Sequence, residues 1–494
     1  MKNTRQQGNW ISRMRLVGTC SALAFVAVLA LAVITTESAQ AQTFTSLASF
    51  NGTDGANPYA GVVQAINGDF YGVTLYGGIH NSGGTVFKMT PSGTVSTVYN
   101  FCAQTGCADG ANPYAALLQA ANGSFYGTTA SGGAGASGIV FKITPSGALT
   151  ILNSFDNTYG EQPEAALIQA PNGDFYGTAT EAGFNAGTIF DVTPSGTLTL
   201  LHDFCSVTQC ADGEVPHGAL VFASNGNLYG TTGSGGAHFD GTVFSMTPSG
   251  TLTTLYAFCS LSDCTDGSDP FTTLIQATNG DFYGTTQSGG ANGFGTVFKM
   301  TSTGALTVLY NFCSLSGCAD GEDPIGALVQ ATDGNFYGTT ARGGANGDGG
   351  TIFKLTPTGT LTTLYSFCSQ PGCADGSTSY GGIIQGTDGD FYGTTSVGGV
   401  NPSSYGTVFS LSVGLRPFVE TLPSSGKVGA KVTILGSNLT GATGVSFNGR
   451  VATFTVVSES EITTTVPTGA TTGTVEVTTP RGTLKSNTKF RVTP

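Results

Sequence analysis

Tryptophan occurs once, histidine four times and methionine five times in 494 residues, and charged side chains make up only 10% of the chain. So little charge excludes a coiled coil or long-helix protein, which is built from Glu, Lys, Ala and Leu. A disordered tail is charge-rich and poor in aromatics, whereas this chain has 31 Phe and 17 Tyr. Basic residues are the scarcer sign, 17 Lys+Arg against 30 Asp+Glu for a net charge of -13. An acidic chain repels phosphate backbones, so nucleic acid is excluded as a partner. What the chain has in excess is glycine, 75 residues with no Gly-X-Y period. The expectation is a large, glycine-rich all-β protein, long enough for two domains.

Only one long apolar run exists, at 16–34, preceded by Lys2, Arg5, Arg13 and Arg15 and followed by Ala39-Gln40-Ala41. A basic start, an apolar run and a small-x-small site predict an export signal over 1–41, cleaved after Ala41. Its removal takes Trp10 and Cys20, the odd cysteine. The mature chain is then expected outside the cytoplasm, with no integral membrane segment, as a monomer.

Repetition dominates the rest. Phe-Tyr-Gly (once Leu-Tyr-Gly) begins at 70, 125, 175, 228, 282, 336 and 391, and a Gly-[Thr/Ile]-[Val/Ile]-Phe marker follows each. Each unit of about 54 residues reads as four short strands, a to d, joined by turn residues. Asn-Gly or Asp-Gly between a and b suits a tight hairpin, and Pro-Ser-Gly or Pro-Thr-Gly between c and d presets a turn. Four strands per repeat predict a propeller blade. The segment FTSLASF at 44–50 matches strand d, while the last repeat ends at strand c. That displacement predicts a seven-bladed β-propeller over 44–413, its last blade closed by the N-terminal strand so that no inner edge is left unpaired.

The FYGTT segment, the Gly-Gly after it and GTVFK-[MIL]-TP resemble the GloVer tandem repeat of secreted bacterial proteins described as choice-of-anchor. That resemblance implies export and surface association and brings no catalytic residues with it. After Val413 the pattern changes. Residues 416–494 alternate over 79 positions with Gly and Pro turns, the pattern of a small β-sandwich. Pro423-Ser-Ser-Gly426, Val432-Thr-Ile-Leu-Gly436, Val445-Ser-Phe-Asn-Gly449 and Thr465-Val-Pro467 make it similar to an IPT/TIG domain, an immunoglobulin-like stalk, spacer or binding module. The propeller segment carries a net charge of -20 and the C-terminal segment +4. The basic module either has an ordinary soluble surface, or touches the propeller or an anionic envelope polymer that salt would release.

Ten mature cysteines form five C-x4-C pairs, Cys102/Cys107, Cys205/Cys210, Cys259/Cys264, Cys313/Cys318 and Cys368/Cys373. Two sulfurs per loop are too few for a structural zinc, and an exported chain with close, even pairs predicts disulfides. Each is expected to act as a local staple of its own loop. They sit in d–a connections, which share one face with the long b–c loops. Thirteen of the propeller's 25 acids lie in these d–a loops, among them Asp54, Asp109, Asp212, Asp266, Asp320 and Asp375. One face is thus expected to be acidic, long-looped and disulfide-braced, the usual home of function on a rigid scaffold.

Chemistry is sparse. The repeated Asp-Gly suits a turn, with calcium the one ion such loops could take; no metal site, cofactor or catalytic residue is named. The strand-a glutamines (Gln64, Gln119, Gln169, Gln276, Gln330 and Gln385, with Phe222 in the fourth blade) and the FYG tyrosines read as inter-blade packing. A ligand site is expected where the repeat symmetry fails: Tyr76, His80, Glu214, His217, His238, Asp240, Arg342 and Tyr405. No Gly-x-Ser-x-Gly elbow, metal-binding helix or phosphate loop occurs. The expected function is a non-catalytic binding or scaffold protein of the bacterial envelope, with a protein or glycan partner. The alternative is a carbohydrate-active propeller lyase or hydrolase.

Overall fold

The computed structural model describes residues 42–80, 82–156, 159–181, 186–401 and 404–493. The expected export signal over 1–41 lies outside them. Among the described residues no helix is long and apolar enough to cross a membrane.

Seven four-stranded antiparallel sheets follow one another in the order a-b-c-d. Blade 6 is representative, with Val329–Gln330, Phe336–Thr340, Thr351–Leu355 and Leu361–Ser366. Strand b is buried throughout because sheets cover both its faces. The glycine of Phe-Tyr-Gly is required there: a Cβ on Gly338 would sit 2.7 Å from the Phe353 ring of strand c. The seventh sheet is discontinuous in sequence. Ile384–Gln385, Phe391–Thr395 and Thr407–Ser412 are completed by Thr43–Ser49, which pairs antiparallel with Thr407–Ser412.

Three belts join neighbouring blades. The tyrosine of one Phe-Tyr-Gly meets the phenylalanine of the next, with centroids 4.0–4.2 Å apart, at Tyr71–Phe125, Tyr126–Phe175, Tyr229–Phe282, Tyr283–Phe336, Tyr337–Phe391 and Tyr392–Phe70. The phenylalanine after each strand d meets the strand-c phenylalanine of the next blade edge-on, as in Phe50–Phe87 at 5.0 Å, Phe204–Phe244 at 5.4 Å and Phe367–Phe409 at 5.3 Å. Each such pair adds about 0.5–1.5 kcal/mol to simple burial. The Phe70–Tyr392 and Phe50–Phe87 contacts join the last blade to the first. The third belt is polar: strand-a glutamines accept from the a–b turn of the preceding blade, as in Thr387 N–H to Gln64 at 2.9 Å and Ser224 N–H to Gln276 at 2.8 Å.

The seam between blades 3 and 4 departs from this plan. Its aromatic rung is missing because Leu228 stands where the other repeats have phenylalanine. Its glutamine is Phe222, and the residue placed to donate to it is Pro171, which has no N–H. A glutamine at 222 would find no donor there, so an apolar side chain is the better neighbour.

The C-terminal domain is a sandwich of two four-stranded sheets. Val419–Leu422, Lys431–Gly436, Phe454–Val456 and Glu461–Thr465 form one sheet; Gly444–Phe447, Arg450–Ala452, Val475–Thr479 and Gly482–Lys485 form the other. Their inward residues, including Val432, Ile434, Phe447, Ile462 and Val475, make a separate core together with Phe490. The domain rests on the a–b turns of the propeller and the ends of strands a through neutral hydrogen bonds. Ser460 Oγ donates to the Ile66 carbonyl at 3.2 Å, Phe418 N–H to the Thr387 carbonyl at 3.0 Å, and Asn487 Nδ2 to the Gln330 carbonyl at 3.2 Å. Among the described residues no ion pair crosses between the domains. The basic module therefore touches the acidic propeller without using its charge for the contact.

Candidate functional site: an axial bowl

Each d–a loop ends in a proline or serine (Pro58, Pro113, Pro163, Pro216, Pro270, Pro324 and Ser379), followed by one side chain that varies and two small residues. The small pairs, such as Ala60-Gly61 and Gly381-Gly382, are dictated by crowding near the axis. A Cβ on Gly61 would sit 2.5 Å from the Gly382 carbonyl oxygen of the neighbouring blade. The variable side chains, Tyr59, Tyr114, Glu164, His217, Phe271, Ile325 and Tyr380, stand above that waist and are all half-buried. One from each blade, they line a single open bowl of about 400 Å³.

The bowl has two unlike arcs. On one side Tyr59 stacks on Tyr380 (4.6 Å, 9° between planes) and leans against Tyr114 (5.2 Å, 45°). On the other, Glu164 Oε2 lies 3.3 Å from His217 Nδ1, and the His217 ring meets Phe271 edge-on at 4.8 Å. Burial, then the charge of Glu164, pushes the Tyr114 phenol well above its ordinary value. Burial, then the neighbouring phenols, raises Tyr59 as well. Both hydroxyls thus stay protonated and are available to donate hydrogen bonds rather than to act as bases.

Of the eight residues expected to mark a site, only His217 lines the bowl. Tyr76 lines an adjoining groove with Tyr59, Tyr114 and Glu164. Arg342 is exposed, with Nε 3.7 Å from Asp323. Tyr405 packs against the apolar cluster of Phe50 and Phe87 between the last and first blades. Glu214 pairs through its backbone with Ser234, and Asp240 with Gly235. His80 lies at a loop turn, its carbonyl accepting from Gly83 N–H, and His238 is exposed beside Phe239. The other six bowl residues were not among those expected, because each departs from its neighbours at a single position of an otherwise regular loop. The signal was the variable column after the loop proline.

The five cysteine pairs, Cys102–Cys107, Cys205–Cys210, Cys259–Cys264, Cys313–Cys318 and Cys368–Cys373, are disulfides. None of these cysteines lines the bowl. Each disulfide closes only its own loop, as expected, while the backbone carbonyl of the second cysteine also holds the neighbouring b–c loop. The Cys107 carbonyl accepts from Gly110 N–H in its own loop and from Gly133 N–H in the b–c loop, both at 2.9 Å. The Cys373 carbonyl does the same with Gly376 N–H at 2.8 Å and Gly399 N–H at 2.9 Å. A carbonyl has two lone pairs, so one oxygen serves both loops. Where blade 1 lacks a pair, Asn51 and Asp54 make a polar clip instead, with Asn51 N–H donating to Asp54 Oδ1 at 2.8 Å.

The acidic character of this face is weaker than the count of acids suggested. Asp109, Asp212, Asp266, Asp320 and Asp375 point inward and are buried. Asp320 accepts from the Tyr310 hydroxyl (2.7 Å), Ser314 N–H and Oγ, and Leu315 N–H, and Asp266 repeats the pattern. In blade 3 His202 replaces the tyrosine, with Nε2 3.1 Å from Asp212. Carboxylates so engaged hold loops, and offer a calcium ion little. Cys205 and Cys210 lie near Glu214, but sulfurs joined in a disulfide are not thiolate ligands.

The family model described as the Gloeobacter/Verrucomicrobia repeat matches residues 33–209, 102–276 and 260–450, and the IPT/TIG domain model matches 418–492. No curated protein sequence matches the chain. Among solved structures, a fungal alcohol oxidase of the AA5 family in complex with copper is 12% identical. The match covers 92% of this chain and 99% of that one, with a TM-score of 0.51. The extracellular domain of a hybrid two-component system from B. thetaiotaomicron is 10% identical, covering 89% of this chain and 51% of its own, with a TM-score of 0.50. Likeness at these identities is likeness of fold alone.

Proposed function

The chain belongs to the Gloeobacter/Verrucomicrobia repeat family and carries a C-terminal IPT/TIG domain, and on that premise we propose that it is an exported, non-catalytic glycan-binding protein of a bacterial envelope. The observation that carries this reading is the pairing, in one bowl, of an aromatic arc (Tyr380, Tyr59, Tyr114) with a polar pair (Glu164, His217). Aromatic planes take the C–H faces of sugar rings with little loss of side-chain freedom, while a carboxylate and an imidazole orient hydroxyl groups. The five disulfides fit an oxidising compartment outside the cytoplasm.

Among the described residues Glu164 is the only carboxylate lining the bowl, whereas glycoside hydrolysis ordinarily takes two. A phenol with a raised pKa is also a poor starting point for base-catalysed elimination. The observation favouring the enzymatic alternative is the Glu164–His217 contact, a carboxylate orienting an imidazole.

The test is retention of the mature chain on an oligosaccharide array, with and without Tyr59→Ala. Loss of a stacking anchor is expected to weaken binding about ten- to thirtyfold, the equivalent of roughly 1.4–2 kcal/mol. New reducing ends or unsaturated products from a retained glycan would move the reading to catalysis. Retention of proteins but no glycan would sink it.

A further inference from the structure

From the two ends of the propeller axis we infer that the bowl takes the end of a glycan chain and that no chain passes through the ring. This rests on the glycan reading above and narrows it to a class of ligand, chain termini rather than chain interiors.

The first observation is the waist beneath the bowl. Adjacent blades come so close there that a Cβ on Gly218 would lie 2.6 Å from the Thr272 carbonyl oxygen, and one on Gly382 2.8 Å from that of Ala327. The blades are latched at the same level. Thr394 Oγ1 donates to the Ala60 carbonyl at 2.8 Å, and Thr231 Oγ1 to that of Thr272 at 2.9 Å. These contacts tie each blade to its neighbour round the ring, and the lining of the bowl ends at this level, at Gly61, Gly218 and Gly382.

The second observation is at the opposite mouth. The C-terminal domain bonds to Ile66 in blade 1, Gln330 in blade 6 and Thr387 in blade 7. Ala121 of blade 2 lines a cleft with Leu422 and Phe454 of that domain. Residues of blades 3, 4 and 5, including Phe222, line another with Pro423 and Arg491. Footing on or beside all seven blades places the domain across the axis, over the mouth remote from the bowl.

With the C-terminal domain across the far mouth, the bowl has one entrance, on the loop face. At about 400 Å³ it lies toward the small end of the roughly 300–1,000 Å³ of ligand pockets. A sugar at a chain end enters such a cup face-on against Tyr59 and leaves the rest of the chain outside. A sugar in mid-chain must bring two glycosidic neighbours through the same entrance.

The experiment uses the whole mature chain and an array of linear gluco-, xylo- and galacto-oligosaccharides attached by their reducing ends. Each retained sugar is then tested in two further forms: capped at its free end by a bulky fluorophore, and as its long parent polysaccharide before and after mild acid cleavage. Capping is expected to abolish retention. Cleavage is expected to raise the binding sites per unit mass in proportion to the new chain ends. Retention of the capped sugar, or a site number that follows total sugar rather than ends, with binding still lost in Tyr59→Ala, overturns chain-end selectivity and leaves glycan binding standing. No retained sugar at all, or retention indifferent to Tyr59→Ala, overturns the glycan reading and this inference with it.

Discussion

The irregular seam between blades 3 and 4 makes a quantitative prediction. Five other seams carry the glutamine bond at 2.8–3.0 Å, from donors Ile66, Ser224, Thr278, Thr332 and Thr387. Phe222→Gln alone loses the packing of a half-buried ring on the Leu220–Leu228 cluster, on the order of 1–2 kcal/mol. It also aims an amide oxygen at Pro171, for about 1 kcal/mol more. Pro171→Thr alone frees the unfolded chain and loosens a preset turn, costing about 0.5–1 kcal/mol. Together the two changes recreate the donor and acceptor of the regular seams. The double variant is therefore expected to be more stable than the sum of the singles by one hydrogen bond, about 0.5–1.5 kcal/mol. Repeat arrays need not unfold in one step, so the measurement is hydrogen exchange of the peptides holding 168–176 and 221–229 across a urea series. Additivity to within about 0.3–0.5 kcal/mol would refute the account of why Phe222 and Pro171 occur together. The natural pair should also transplant: Thr278→Pro with Gln330→Phe is expected to be milder than the sum of its single changes.

Burial pushes the Asp266 and Asp320 carboxyls up, but the tyrosine, serine and backbone donors outweigh it and hold both below the usual carboxylate range. A lowered folded value means that their stabilisation is present above the unfolded value near 4 and is lost as pH falls through the folded one. Protection of the 258–270 and 312–324 loops from proteolysis should therefore hold down to about pH 4 and fail below it; Asp320→Asn should open the second loop at neutral pH, and an unchanged digestion pattern would contradict this. The contact between the domains rests on neutral groups such as Ser460, Thr387 and Asn487, so it should survive 1 M salt, about ten times the ionic strength that screens beyond 10 Å. Small-angle scattering that expands between low and high salt would show charge holding the domains instead.

Much of the fold was legible in the chain because each blade obeys local rules. Asn-Gly and Pro-Ser-Gly turns fix hairpins, Phe-Tyr-Gly marks the buried strand, and the orphan strand at 44–50 points to a partner among the last repeat's strands. The disulfides were legible for the same reason, since the two cysteines of each pair are five positions apart and no distant contact is involved. Their second task was not: that the Cys107 and Cys373 carbonyls tie down Gly133 and Gly399 depends on how two loops of one blade lie together. Even Pro171 and Phe222 are visible as departures, although only the inter-blade pairing shows that one answers the other.

The site was another matter. Tyr59, Tyr114, Glu164, His217, Phe271, Ile325 and Tyr380 lie about fifty residues apart, and nothing local marks them as neighbours. The loop acids misled for a similar reason: a sequence counts carboxylates but does not say that Asp109 or Asp320 turns inward to a tyrosine hydroxyl. The low charge and abundant glycine are consequences of repetition, and the sequence by itself determined the blades, their number and their staples. Bringing one variable side chain per blade to a common axis, and laying the C-terminal domain over the far mouth, depends on contacts between residues remote in the chain. Those contacts are set by how blades and domains pack, and only the tertiary structure decided them.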